Sequence, residues 1–155
     1  MRLLHLYLSP EHNYFGHYGH DPGTAPMVEA PEIQLVAGKG IVGDRFFDFK
    51  KDYKGQVTFF EIEQHAKLSR DLDVSDREPS VFRRNIITEG QDLNELIGQE
   101  FEIQGVRFLG MAECSPCEWM DQAFHPGAEK ALRHHGGLRA KILNDGVLKA
   151  DRTGN

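Results

Sequence analysis

Cys114 and Cys117 are the only thiols of the 155-residue chain, and they flank a Ser-Pro dipeptide in the stretch GMAECSPCEWM, residues 110–120. A thiol acts as a nucleophile or a metal ligand in its thiolate form, which a helix N-terminus or nearby cations favour. Cys117 follows Ser115-Pro116, where a strand gives way to a helix, so its sulfur is expected in a first helical turn near free backbone N–H groups. That makes Cys117 the expected catalytic or metal-ligating thiol, with Cys114 as its helper. Three other readings stay open. Both cysteines can serve as small buried hydrophobes. They can form half of a zinc site with His125, His134 and His135, although the spacing matches no finger pattern. They can be a redox pair, although thioredoxin-like pairs follow an early strand of a βαβ unit and this one comes late in the chain.

Three further clusters carry charge where a ligand could use it. In GKGIVGDRFFD, residues 38–48, Gly38, Gly40 and Gly43 imply tight turns or a close approach, while Lys39, Asp44 and Arg45 supply charge suited to an anion. The glycine order and context do not fit a dinucleotide fingerprint; the plainer alternative is a glycine-rich turn with a surface salt bridge. In SVFRRNIITEG, residues 80–90, Arg83 and Arg84 at the head of a strand point to opposite faces, so at least one faces a cleft. A guanidinium fork suits phosphate or carboxylate, and the Asn85 amide can orient a polar ligand. An ion pair with Asp44 or a nearby Glu is the competing role for one of these arginines. In HHGGLRAKIL, residues 134–143, the glycines read as a helix stop, and Arg139 on the next strand is placed to point into the same cavity. His12, His17 and His20, in a long loop from Ser9 to Pro31, read as solvated residues rather than ligands.

These side chains need a scaffold, and its elements are short. Strand-like runs occur at residues 2–8, 32–37, 56–61, 83–88, 100–103, 106–111, 138–143 and 147–150. Phe101 and Ile103 alternate with Glu100 and Glu102, as on a half-buried strand. Many short strands point to a mainly β barrel or sandwich. Tight hairpins are expected at Gln104-Gly105 and Asp145-Gly146. Helical patterns cover residues 60–72, with Ile62, Ala66 and Leu68 or Leu72 on the buried stripe, and 92–98, 117–124 and 127–135. One domain spanning residues 1–155 is expected from the length, and 39% hydrophobic residues suffice for a core. A net charge of −6 argues against nucleic acid as a partner, and any anion must meet a local basic cluster. No run approaches the roughly 20 apolar residues of a membrane span. The N-terminus alternates like a strand and has no cleavage signature, so a cytoplasmic protein is expected.

Taken in order, LVAGKGIVGDRFFD, RRNIITEGQDLNELIGQEFEIQGVRFLG, CSPC and HHGGLRAKIL resemble the small stand-alone bacterial MOSC proteins, relatives of the C-terminal domain of molybdenum cofactor sulfurase. The resemblance runs from about Glu29 to Leu148. It implies a β-barrel with a few short peripheral helices and a cysteine that ligates molybdenum or carries sulfur, a role that falls by position on Cys117. It further implies the molybdenum cofactor, molybdopterin, with its anionic end held by Arg45, Arg83, Arg84 and Arg139, and reduction of small N-hydroxylated substrates with a reductase partner. A sulfur carrier or cofactor delivery protein, fed by a sulfur donor and using a cysteine persulfide, is the second reading. A homodimeric β domain for another anionic metabolite is the third. Sulfurases of this lineage work with pyridoxal phosphate, but this chain has no desulfurase segment and no lysine context for it, so that cofactor is not expected here.

Overall fold

The computed structural model describes residues 1–10 and 27–151. His12, His17 and His20 lie outside the described residues. The chain opens with β1 (Arg2–Leu8), β2 (Val28–Glu29), β3 (Glu32–Val36), β4 (Gly40–Ile41) and β5 (Val57–Glu61). Helix α1 (Ile62–Asp71) and a 3₁₀ turn, Pro79–Phe82, lead into β6 (Ile86–Glu89), and a second 3₁₀ turn, Leu93–Leu96, into β7 (Glu100–Ile103) and β8 (Val106–Glu113). The short helices α2 (Glu118–Ala123) and α3 (Ala128–Ala131) precede β9 (Leu138–Ile142) and β10 (Gly146–Lys149). None of the described helices is long and apolar enough to cross a membrane.

Seven strands form one sheet in the order β2-β1-β6-β5-β9-β8-β7, and a smaller sheet has the order β10-β3-β4. The β5–β6 pair is parallel, because α1 intervenes as a crossover; the other strand pairs are antiparallel. The mainly β reading is therefore right, but the barrel is not: among the described strands neither sheet closes on itself. The large sheet ends at β2 and β7, and β10 leaves it to pair with β3, Gly146 opposite Leu35.

Strand alternation explains how the layers meet. Leu3, Leu6, Phe59, Ile86 and Phe108 of the large sheet share a core with Ile33, Leu35 and Leu148 of the small one. Their neighbours Tyr7, Phe60 and Ile87 face the other way and pack with Leu68, Phe82, Met120, Phe124 and Leu132 beneath the helices. Phe59 and Phe60 are each 0% exposed, on opposite faces, and full burial of such a ring is worth about 1.5–3 kcal/mol.

Several local expectations are corrected. Gln104 and Gly105 both have positive φ and join β7 to β8 in a two-residue turn, as predicted. Asp145-Gly146 is not a hairpin. The Asp145 carboxylate accepts from Ala37 N at 2.8 Å, and a Cβ on Gly146 would lie 2.5 Å from Val106 Cγ2, so close packing accounts for that glycine. Strand β6 begins at Ile86 rather than residue 83; Arg83 instead ends the 3₁₀ turn in the left-handed region, φ 59°. Of the expected α1 stripe, Leu68 is buried, Ile62 and the C-cap residue Leu72 are partly buried beside it, and Ala66 is exposed. Helix α3 ends at Ala131, well before the His134-His135-Gly136-Gly137 run.

Candidate functional site

A cavity of about 320 Å³ opens beside the thiols. The loop after β4 supplies Arg45, Phe46 and Tyr53, the 3₁₀ turn Phe82 with Arg83 and Arg84 behind it, β8 runs into Cys114, and β9 carries Arg139. Cys117 and Trp119 enter from α2. Four arginines and two cysteines thus line one cavity, with no carboxylate among the lining residues described.

Each arginine is held differently. Arg45, with a side chain 9% exposed, pairs with Asp44 at 3.3 Å and lies 4.7 Å over the Phe46 ring. Burial pushes its pKa down, with Asp44 opposing. Asp44 is buried because it also accepts from Ser9 N at 2.9 Å and Phe46 N at 3.2 Å. The side-chain amide of Asn85 donates to Tyr7 O and, at 3.5 Å, to Asp44 Oδ1, and accepts from Thr58 N and Oγ1, so its hydrogen-bonding capacity is spent on joining β1, β5 and the Asp44 loop. Arg83 donates to Ser9 Oγ at 3.2 Å and sits 5.9 Å from the Trp119 ring; burial, reinforced by Arg45, lowers its pKa to about 10. Arg139 lies 5.4 Å from the Tyr53 ring. Arg84 is 8% exposed and bonds to backbone carbonyls.

The two cysteines are free thiols, and both are partly exposed. Cys117 is the N-cap of α2, as the Ser-Pro break predicts. Burial pushes its thiol pKa up, and this outweighs the Trp119 N–H and the Arg84 charge, which pull it down.

The structure therefore brings together Cys114, Cys117, Arg45, Arg83, Arg84 and Arg139 around the cavity, with Asp44 and Asn85 supporting from behind. It does not bring in Lys39, which is exposed and outside the lining. His125, His134 and His135 are likewise exposed and outside it, and among the described residues no three His, Cys, Asp or Glu side chains converge to hold a metal. Sequence reasoning missed Tyr53 and Trp119. Trp119 had a usable signal, as the single tryptophan two residues beyond Cys117; Tyr53 had none, since its place depends on how the loop folds back.

The MOSC domain profile matches residues 37–153. The chain belongs to the MOSC domain family. Comparison with curated proteins gives no match. Among solved structures this MOSC domain is similar to the YuaD protein from Bacillus subtilis, TM-score 0.74 and 16% identity, over 96% of this chain and 91% of that one. It is also similar to YiiM from Escherichia coli, TM-score 0.66 and 16% identity, over 97% of this chain and 67% of that one. At such identity these structures show the fold alone. The family is one associated with binding of the molybdenum cofactor.

Proposed function

We propose that this MOSC domain binds the molybdenum cofactor in the arginine-lined cavity and reduces N-hydroxylated small molecules there. One observation carries the reading: Cys117 shares a cavity with four arginines and with no carboxylate among the described lining residues. The donor set fits such a group. A soft thiol suits molybdenum, and fixed guanidinium groups suit a pterin that ends in phosphate. The cavity volume lies at the lower end of small-molecule sites, about 300–1,000 Å³.

Cys117 would hold the metal, and Arg45 and Arg83 with Arg139 would meet the anionic pterin. When bound, the cofactor supplies two-electron metal redox chemistry. The protein keeps the thiol, cations and rings in register: Asp44 fixes Arg45, and Tyr53 backs Arg139. Reduction of R–NHOH to R–NH2 and water consumes two electrons and two protons, so a reductase partner must feed the site.

Metal and pterin analysis of the full chain from a cofactor-competent host, beside Cys117→Ala, tests this. Molybdenum should co-purify with the wild type and be lost from the variant; equal, background metal in both overturns the reading. A second reading is favoured by one fact: Cys114 is a free thiol lining the same cavity, and a neighbouring thiol can resolve a persulfide, whereas a metal ligand does not require it. A sulfur carrier predicts a persulfide adduct on Cys117 by intact mass after incubation with a persulfide as sulfur donor, whose own thiol is released, with no molybdenum retained.

A further inference from the structure

Arg84 is in the cavity wall, yet its guanidinium is committed elsewhere. Nε donates to Gly136 O at 3.0 Å, Nη1 to Phe82 O at 2.9 Å, and Nη2 to Cys114 O at 3.2 Å and Ser115 O at 3.4 Å. Four of the five guanidinium N–H donors are thus engaged. Their acceptors come from three separate segments: the 3₁₀ turn, the Cys-Ser-Pro-Cys loop, and the Gly-Gly pair before β9. Only a rigid fork spans such a set, because the three donors of a lysine radiate from one nitrogen.

The Gly-Gly pair completes the arrangement. A Cβ on Gly136 would lie 2.1 Å from Cys114 O and 2.9 Å from Pro116 N, so the thiol loop rests directly on that backbone. Cys114 N donates to Gly137 O at 2.8 Å, and Gly136 N donates to the Glu113 carboxylate at 3.2 Å. The HHGG run is therefore no helix stop. It is the bed on which the thiol loop lies, and Arg84 ties loop, bed and 3₁₀ turn together.

We infer that Arg84 is a positioning residue which holds the Cys114–Cys117 loop against Gly136-Gly137, and that Arg45 and Arg83 meet the anionic group of the ligand in its place. The inference rests on the proposed function for what the thiols do and for the anionic ligand; the clamp itself needs no cofactor.

The test uses the full chain without molybdenum and inorganic pyrophosphate as probe, so its failure is separable from failure of the cofactor reading. In ¹⁵N spectra of the wild type, the Nε–H signals of Arg45 and Arg83 should move on titration, while that of Arg84 stays in place. Movement of Arg84 comparable with that of Arg83 overturns the inference, and this arm stands even if Arg84 variants fail to fold. In Arg84→Lys, which retains the charge, pyrophosphate affinity should fall clearly less than in Arg83→Gln. The Cys114 and Gly136 amides should lose about tenfold or more of their exchange protection, while β5 and β9 keep theirs. Arg83→Gln should show the opposite split, with weakened pyrophosphate binding and an unchanged Cys114 amide. Unchanged protection of Cys114 in Arg84→Lys, or a loss of affinity equal to that of Arg83→Gln, overturns it.

Discussion

At the scale of single residues, Cys117 is pulled in two directions. The backbone N–H of Trp119 and the charge of Arg84 favour the thiolate, and burial disfavours it; burial dominates and raises the pKa. The sign sets a measurable order. At a pH where a free thiol is half ionised, near 8.5, Cys117 holds less thiolate and reacts more slowly than its exposure alone implies. In cofactor-free protein the iodoacetamide alkylation rate of Cys117, followed by peptide mass, should have its midpoint at higher pH than glutathione measured alongside. A midpoint below that of glutathione would show that the helix turn and Arg84 outweigh burial. On the proposed function, metal binding must remove the proton, and the Arg84 charge favours the anion that remains.

At the scale of elements, the turn from β8 into α2 depends on what lies under it. Gly136→Ala would press a methyl group into the Cys114 carbonyl and Pro116, backbone atoms that a rotamer change cannot relieve. Such overpacking costs about 1–3 kcal/mol. The variant should lose stability in that range by urea unfolding and loosen the thiol loop, whereas full stability would mean that the loop yields freely. This turn also shows what the sequence could and could not convey. Local signals were legible: the alternation of Phe101 and Ile103 with Glu100 and Glu102 located β7, the Gln104-Gly105 turn joined it to β8, and Ser-Pro placed Cys117 at a helix start. Roles set by distant neighbours were not. Gly136 and Gly146 look like stop and turn glycines in sequence, but packing against Cys114 and Val106 explains them. Arg84 reads as a ligand-binding arginine in sequence, where its carbonyl partners, up to 52 residues away, cannot be seen. The open sheets were hidden for the same reason, because strand composition does not say that β10 pairs with β3 instead of β9.

At the scale of the whole molecule, a formal charge of −6 surrounds a cavity lined by four arginines. Long-range attraction therefore does little to gather anions, and affinity must come from contacts inside the cavity. Salt screens exposed charges beyond about 10 Å at 0.1 M ionic strength but affects partly buried ones much less. Pyrophosphate binding by calorimetry should thus weaken only modestly between low and physiological salt. It should be insensitive to Lys39→Ala, because Lys39 is exposed and outside the lining. Arg83→Gln removes a half-buried cation whose hydrogen bonds to an anion are worth about 1.5–3 kcal/mol, so affinity should fall about tenfold or more. If Lys39→Ala weakened binding as much as Arg83→Gln, with a steep dependence on salt, the anion would be held on the outer surface of the 38–48 loop. The cavity would then be left to the thiols alone.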